Sequence, residues 1–91
     1  MKVTRQLRIS GRVQGVGYRY ATCLAARRHT VHGWVRNRRD GTVEAMLHGD
    51  ETCVMAMIEW CRQGPPAALV LAVIVEEASG EFDGFSERET L

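Results

Sequence analysis

Apolar and polar positions alternate near the start of the chain, with Leu7, Ile9, Gly11 and Val13 set between Gln6, Arg8, Ser10 and Arg12. A period of two predicts a strand with one buried face. After a loop carrying Gly15 and Gly17 the period becomes helical. Tyr20, Cys23, Leu24 and Arg27 share one stripe with alanines between, which predicts a helix over Tyr18–Arg28. "VHGWVRN", Val31–Asn37, is β-branched and aromatic and reads as a second strand. The Asp-Gly pair in "RRDG", Arg38–Gly41, supplies a hairpin turn. Thr42–His48 follows as a third strand, with Val43, Ala45 and Leu47 on one face and Gly49 expected to break it. Asp50 then fits the N-cap of a second helix built on Val54, Met57, Ile58 and Cys61. Gly64, before Pro65 and Pro66, closes that helix. Leu69–Val75 reads as a fourth strand, and Phe85–Arg88 as a short polar one at the end.

The predicted order is βαββαβ plus a terminal edge strand, in one domain over residues 1–91. Right-handed crossovers steer such halves into an α+β, ferredoxin-like sandwich: an antiparallel sheet with both helices on one face. The first and second strands then run parallel with the third between them. Their carboxyl ends share one rim, roughly 10 Å apart, at two inter-strand spacings. The glycine loop and Asn37 are expected to meet on that rim.

Composition narrows the function classes. Of 91 residues, 45% are hydrophobic and 25% charged, with a net charge of +1. That balance suits a globular chain and gives no support to nucleic-acid binding, which favours a strongly basic domain. Cys23, Cys53 and Cys61 lack paired spacing and fit reduced thiols in the cytoplasm. The first residues have no apolar core of a secretion signal, and the apolar run Ala67–Val75 is too short to span a bilayer.

"ISGRVQGVGYRY", Ile9–Tyr20, carries the candidate chemistry. It lacks the third glycine of a dinucleotide fingerprint and the Gly-Lys pair of a Walker A loop. Gly15 and Gly17 can nevertheless turn successive N–H groups inward as an anion nest that opens into a helix N-terminus. Arg19, in the first helical turn, offers a planar fork for two phosphate oxygens. An ordinary tight strand-to-helix turn with a solvated arginine fits the same residues.

Beyond that point the segments acquire a resemblance. "GRVQGVGYR", Gly11–Arg19, resembles the signature loop of the acylphosphatases. "GWVRNRRDGTVEAMLHG", Gly33–Gly49, is similar to that family's second signature, and "QGPPAALV", Gln63–Val70, to the connection before its fourth strand. The resemblance implies hydrolysis of acyl phosphates to a carboxylate and inorganic phosphate by in-line water attack, with no metal, no cofactor and no covalent intermediate. It implies that Arg19 binds the phosphoryl group, that Asn37 orients the water, and that the amides of Gln14, Gly15, Val16, Gly17, Tyr18 and Arg19 form the phosphate cradle. The partners expected are a small acyl phosphate and its phosphate product, without nucleic acid or membrane, for a cytoplasmic monomer; an edge strand leaves room for dimerisation. The sequence departs from the family at "HTV", His29–Val31, where the glycine C-cap is lost, at a cost of about 1 kcal/mol if Thr30 takes the left-handed conformation. It also has Tyr18 in place of the commoner phenylalanine and a tail, "SERETL", without an aromatic ending.

The residues expected near the rim are poor in conventional acids and bases, and Asp40 is explained by the turn. An acyl phosphate does not need one to depart, because its leaving carboxylate has a solution pKa near ~4–5. The water's proton can pass to the substrate's own phosphate oxygens. The remaining residues have plainer readings. His29, His32 and His48 belong at the surface or rim; the cysteines and Met46, Met55 and Met57 fill the core. Trp34 and Trp60 pack, with Trp34 also able to border the rim. Arg12, Arg36, Arg38 and Arg39 are solvated and able to steer an anionic substrate. Two rivals stand beside hydrolysis. One is an acyl or carbamoyl phosphate-binding module without turnover, and the other an RNA-binding domain, whose stacked strand aromatics are missing.

Overall fold

Seven elements follow in the order β1 (Lys2–Arg12), α1 (Tyr18–Arg28), β2 (His32–Asn37), β3 (Val43–Asp50), α2 (Glu51–Gln63), β4 (Leu69–Glu77) and β5 (Phe85–Glu87), in a computed structural model that describes all 91 residues. One five-stranded sheet runs β4-β1-β3-β2-β5. β3 pairs antiparallel with both β1 and β2, so those two run parallel on either side of it. Each neighbouring pair among the four longer strands is antiparallel, and β5 adds in parallel beside β2, which makes the sheet mixed at that edge.

Alternation in β1 and β3 turns Leu7, Ile9, Val43, Ala45 and Leu47 into the core, all fully buried. α2 covers them with Val54, Met57 and Cys61, as its stripe predicts. α1 packs by a different face from the one its pattern suggests. Tyr18, Thr22, Cys23, Ala25 and Ala26 are buried, whereas Tyr20 is 65% and Leu24 38% exposed. Two alanines let the helix approach the sheet closely, and the buried Thr22 hydroxyl is satisfied by donating to the Tyr18 carbonyl at 2.7 Å.

α1 ends in a Schellman motif. Thr30 N–H donates to the Arg27 carbonyl at 3.3 Å and Val31 N–H to the Ala26 carbonyl at 2.8 Å. Thr30 takes φ 56, the left-handed conformation expected of it, and is the one non-glycine residue with positive φ. Val31 and Ala26 are both buried in the core.

Several expectations need correction. β3 does not stop before Gly49; it continues to Asp50, because Val3 and Lys2 in β1 pair with Gly49 and Asp50 and outweigh glycine's poor strand preference. Asp50 sits at the α2 N-cap without a capping bond, its carboxylate lying 3.7 Å from Lys2 Nζ. Met55 is 61% exposed and lines a groove with Ile58 and Val75 beside β4, whose Leu69, Leu71 and Ile74 are exposed as well. Arg36 and Arg38 are not free surface cations. They donate to the buried Glu44 carboxylate at 2.8 and 3.0 Å, and Gln6 adds a third bond. Trp34 packs on that open face of the sheet, with Arg36 and Arg88 stacked on its ring. The polar tail does dock: Arg88 N–H donates to the Val35 carbonyl at 2.8 Å and Leu91 N–H to that of Asn37 at 3.1 Å.

Candidate active site

The loop between β1 and α1 owes its shape to two glycines and two anchors. Gly15 and Gly17 have φ 73 and 78, a region that favours glycine strongly. A Cβ at either position would meet nothing within 4 Å, so conformation rather than crowding demands them, and the space beside them is open. The first anchor is Gln14, whose Nε2 donates to the Arg38 and Thr42 carbonyls at 2.7 and 2.9 Å. Those bonds tie the loop to the hairpin that begins one residue after Asn37. The second is Tyr18, which points its ring into the core and donates its hydroxyl to the Cys61 carbonyl in α2 at 2.7 Å. Burial pushes the Tyr18 phenol well above its ordinary value, so it remains a donor.

Gly17 is the N-cap of α1, with no side-chain cap and no acid in the first turn. The opening N–H groups of the helix are therefore left for an external acceptor, with the helix dipole behind them.

A cavity of about 130 Å³ sits where this helix start faces the end of β2. Val13, Gly15, Gly17, Tyr18, Arg19, Tyr20, Asn37 and Glu87 line it. Arg19 and Asn37, far apart in sequence, thus share one wall-to-wall space. Gln14 and Val16 stand behind that lining, Gln14 as the tether just described and Val16 packed against the core. Arg19 is half-exposed, and Glu87 Oε1 lies 3.9 Å from its Nε. The Asn37 side-chain oxygen is buried and has no hydrogen-bond partner, although the main-chain carbonyl of the same residue is bound by Leu91. A buried acceptor left alone costs on the order of 1–3 kcal/mol.

Sequence reasoning missed Glu87 and Tyr20 at this site. Periodicity assigned Tyr20 to the core stripe, and no motif links residue 87 to the loop; only the pairing of β5 with β2 brings it there. The histidines lie elsewhere. His48 Nδ1 is 2.7 Å from Thr4 Oγ1, and His32 Nδ1 accepts from Gly84 N–H at 2.7 Å. No three of the His, Cys, Asp and Glu side chains gather as a metal-binding group, and no helix is long and apolar enough to cross a membrane.

Comparison with known proteins gives a consistent result. The family model for acylphosphatase matches residues 5–86. An acylphosphatase from Acidovorax sp. (strain JS42) is 54% identical over 90 residues, covering 98% of this chain and 93% of that one. The solved acylphosphatase of Coxiella burnetii superposes with a TM-score of 0.92 at 33% identity, covering 96% of this chain and 93% of its own. A full-length HypF structure in its phosphate- and nucleotide-bound form is similar over 99% of this chain and 12% of HypF, with a TM-score of 0.90 and 26% identity. With both signature segments in place on this fold, the chain belongs to the acylphosphatase family.

Proposed function

We propose that this chain hydrolyses acyl phosphates at the cavity between the glycine loop and the end of β2. The observation that carries the reading is that Arg19, Asn37 and the start of α1 line one small cavity. In this mechanism the loop and helix amides from Gln14 to Arg19 cradle the phosphoryl oxygens, and the Arg19 guanidinium neutralises charge on them. Asn37 accepts a hydrogen bond from a water and aims its lone pair at phosphorus. The new P–O bond forms as the P–O bond to the acyl group breaks, and the electron pair leaves with the carboxylate. The water's proton passes to a phosphate oxygen. Positioning and charge stabilisation supply the acceleration, and the good leaving group removes the need for an acid.

The same reading needs neither metal nor cofactor, and takes a free small molecule as substrate. Nucleic acid and membrane have no part in it. A working monomer belongs to the same reading, and three free cysteines support a cytoplasmic setting. The likeness to HypF, solved in a phosphate-bound form, supports a phosphate ligand for this chain, and turnover is favoured over mere binding because Asn37 as well as Arg19 lines the cavity.

The test is hydrolysis of benzoyl phosphate by the wild type and Asn37→Ala side by side. Turnover by the wild type is expected, with kcat lowered strongly in the variant while inhibition by inorganic phosphate persists. A folded wild type that leaves benzoyl phosphate intact overturns the proposal, and equal loss of phosphate inhibition removes the separate role of Asn37.

A further inference from the structure

The cavity proposed to hold a phosphoryl anion contains a carboxylate of its own. Glu87 lines it together with Arg19, its Oε1 3.9 Å from Arg19 Nε. No step of the hydrolysis above uses a negative charge there, and a phosphate dianion is repelled by one.

The carboxylate is held in place by the fold. Phe85, two residues earlier, is buried, and its carbonyl accepts from Arg27 Nη2 at 3.3 Å. One residue later, the Arg88 N–H is bound by Val35. Alternation along β5 sends Phe85 and Glu87 to the helix face, while Arg88 goes to the opposite face and stacks on Trp34. The field of Glu87 also reaches the buried Cys23 thiol in α1: after burial, it is the next cause raising that thiol above its ordinary value. Glu87 thus lies on the α1 side of β5, with its side chain 42% exposed.

The contact itself is an ion pair too long for a hydrogen bond, made to the Nε side of the guanidinium. The two terminal nitrogens, the fork suited to phosphoryl oxygens, stay unclaimed. Glu87 therefore opposes the anion through charge without occupying its place.

We propose that Glu87 is a built-in counter-anion that weakens the hold of this cavity on inorganic phosphate and so favours product departure. The proposal rests on the acyl phosphate reading. A cradle of amides and guanidinium alone binds substrate and product dianions alike, and uniform binding of that kind does not raise turnover. In a loose phosphoryl-transfer transition state, charge has already moved from the phosphoryl group toward the leaving carboxylate. A fixed negative charge beside the phosphoryl group consequently repels the bound dianions more than the transition state. With both side chains partly open to solvent, one charge beside a dianion corresponds to about three- to tenfold in affinity.

The experiment measures the dissociation constant of inorganic phosphate by calorimetric titration for the wild type, Glu87→Gln and Glu87→Asp. Thermal unfolding confirms the fold of each variant, and KM and kcat are read on benzoyl phosphate. Glu87→Gln is expected to bind phosphate about three- to tenfold more tightly and to show a lower KM, with the gain shrinking at high salt. Glu87→Asp is expected to keep wild-type affinity. Unchanged or weaker phosphate binding by a folded Glu87→Gln overturns the proposal, the weaker case meaning that Glu87 holds Arg19 in position. A fall in kcat of about a hundredfold at unchanged phosphate affinity overturns it in favour of a general base. If Glu87→Gln does not fold, Glu87→Ala decides by the same criterion. A wild type that binds phosphate but hydrolyses nothing refutes the acyl phosphate reading alone, and one that binds no phosphate refutes both.

Discussion

At the residue scale, the proposed mechanism divides the work between Arg19 and Asn37. On that proposal the arginine carries the charge that meets the phosphoryl group, so Arg19→Ala is expected to lower kcat/KM for benzoyl phosphate by at least ~10²–10³ and to abolish inhibition by phosphate. Steady-state kinetics with and without added phosphate measures both losses. Both residues are legible from sequence because they sit in compact motifs whose spacing survives without knowledge of the fold. Glu87 is not legible in that way. It lies in a polar tail with no periodic signal, and reaches Arg19 only because the sheet order sets β5 beside β2, under α1. Glu44 was hidden for a related reason. Along β3 it occupies a solvent-facing position of the alternation, and it is buried because Gln6 and Arg36 from the flanking strands, with Arg38 just past β2, close over it.

Among the elements, α1 matches its predicted span while presenting a different face. Its ends are set by local geometry that the chain announces: Gly17 opens it, and the missing glycine after His29 leaves Thr30 in the left-handed region. Its buried face was misread because Tyr20 and Leu24 are the large apolar residues, and size drew the stripe toward them. The sheet is instead met by Thr22, Ala25 and Ala26, small enough to bring the helix axis close. Thr30 bears a conformational cost that glycine would not. Its side chain has no hydrogen bond that would be lost, so Thr30→Gly is expected to stabilise the protein by about 1 kcal/mol, with activity unchanged. Urea unfolding measures the gain, and a loss of stability would show that Thr30 makes an unrecognised contact.

Taken as a whole, the molecule has one covered face, where α1 and α2 bury the core, and one open face stabilised by charge. Burial alone would raise the Glu44 carboxyl, but hydrogen bonds from Arg36, Arg38 and Gln6 outweigh it and hold the group below its ordinary value of 4.5. A lowered carboxyl contributes stability that is fully present above its unfolded value and fades as pH falls through the folded one. Glu44→Gln is therefore expected to cost about 1–3 kcal/mol at neutral pH, leaving two arginines without their counter-charge. The gap between wild type and variant is expected to narrow steadily once pH drops below about 4.5. Paired unfolding curves across the acid range measure it, and a gap independent of pH would exclude the ion-pair account. The topology of this molecule was readable from the order and periods of its strands, since crossover handedness leaves few alternatives. Strand ends were less so: Gly49 and the start of β1 depend on each other as partners, a relation no single segment reveals.

The lining of the cavity comes from three stretches of chain, residues 13–20, residue 37 and residue 87, contributed by the first loop with the start of α1, the inner strand β2 and the last strand. Nothing short of the completed sheet can bring them together, so turnover here is a report on global assembly. Recovery of activity during refolding should trail the appearance of helix and become complete only when β5 has closed the far edge. A fragment that retained both signature segments but lacked the final strand would have the vocabulary of the enzyme without its closing wall.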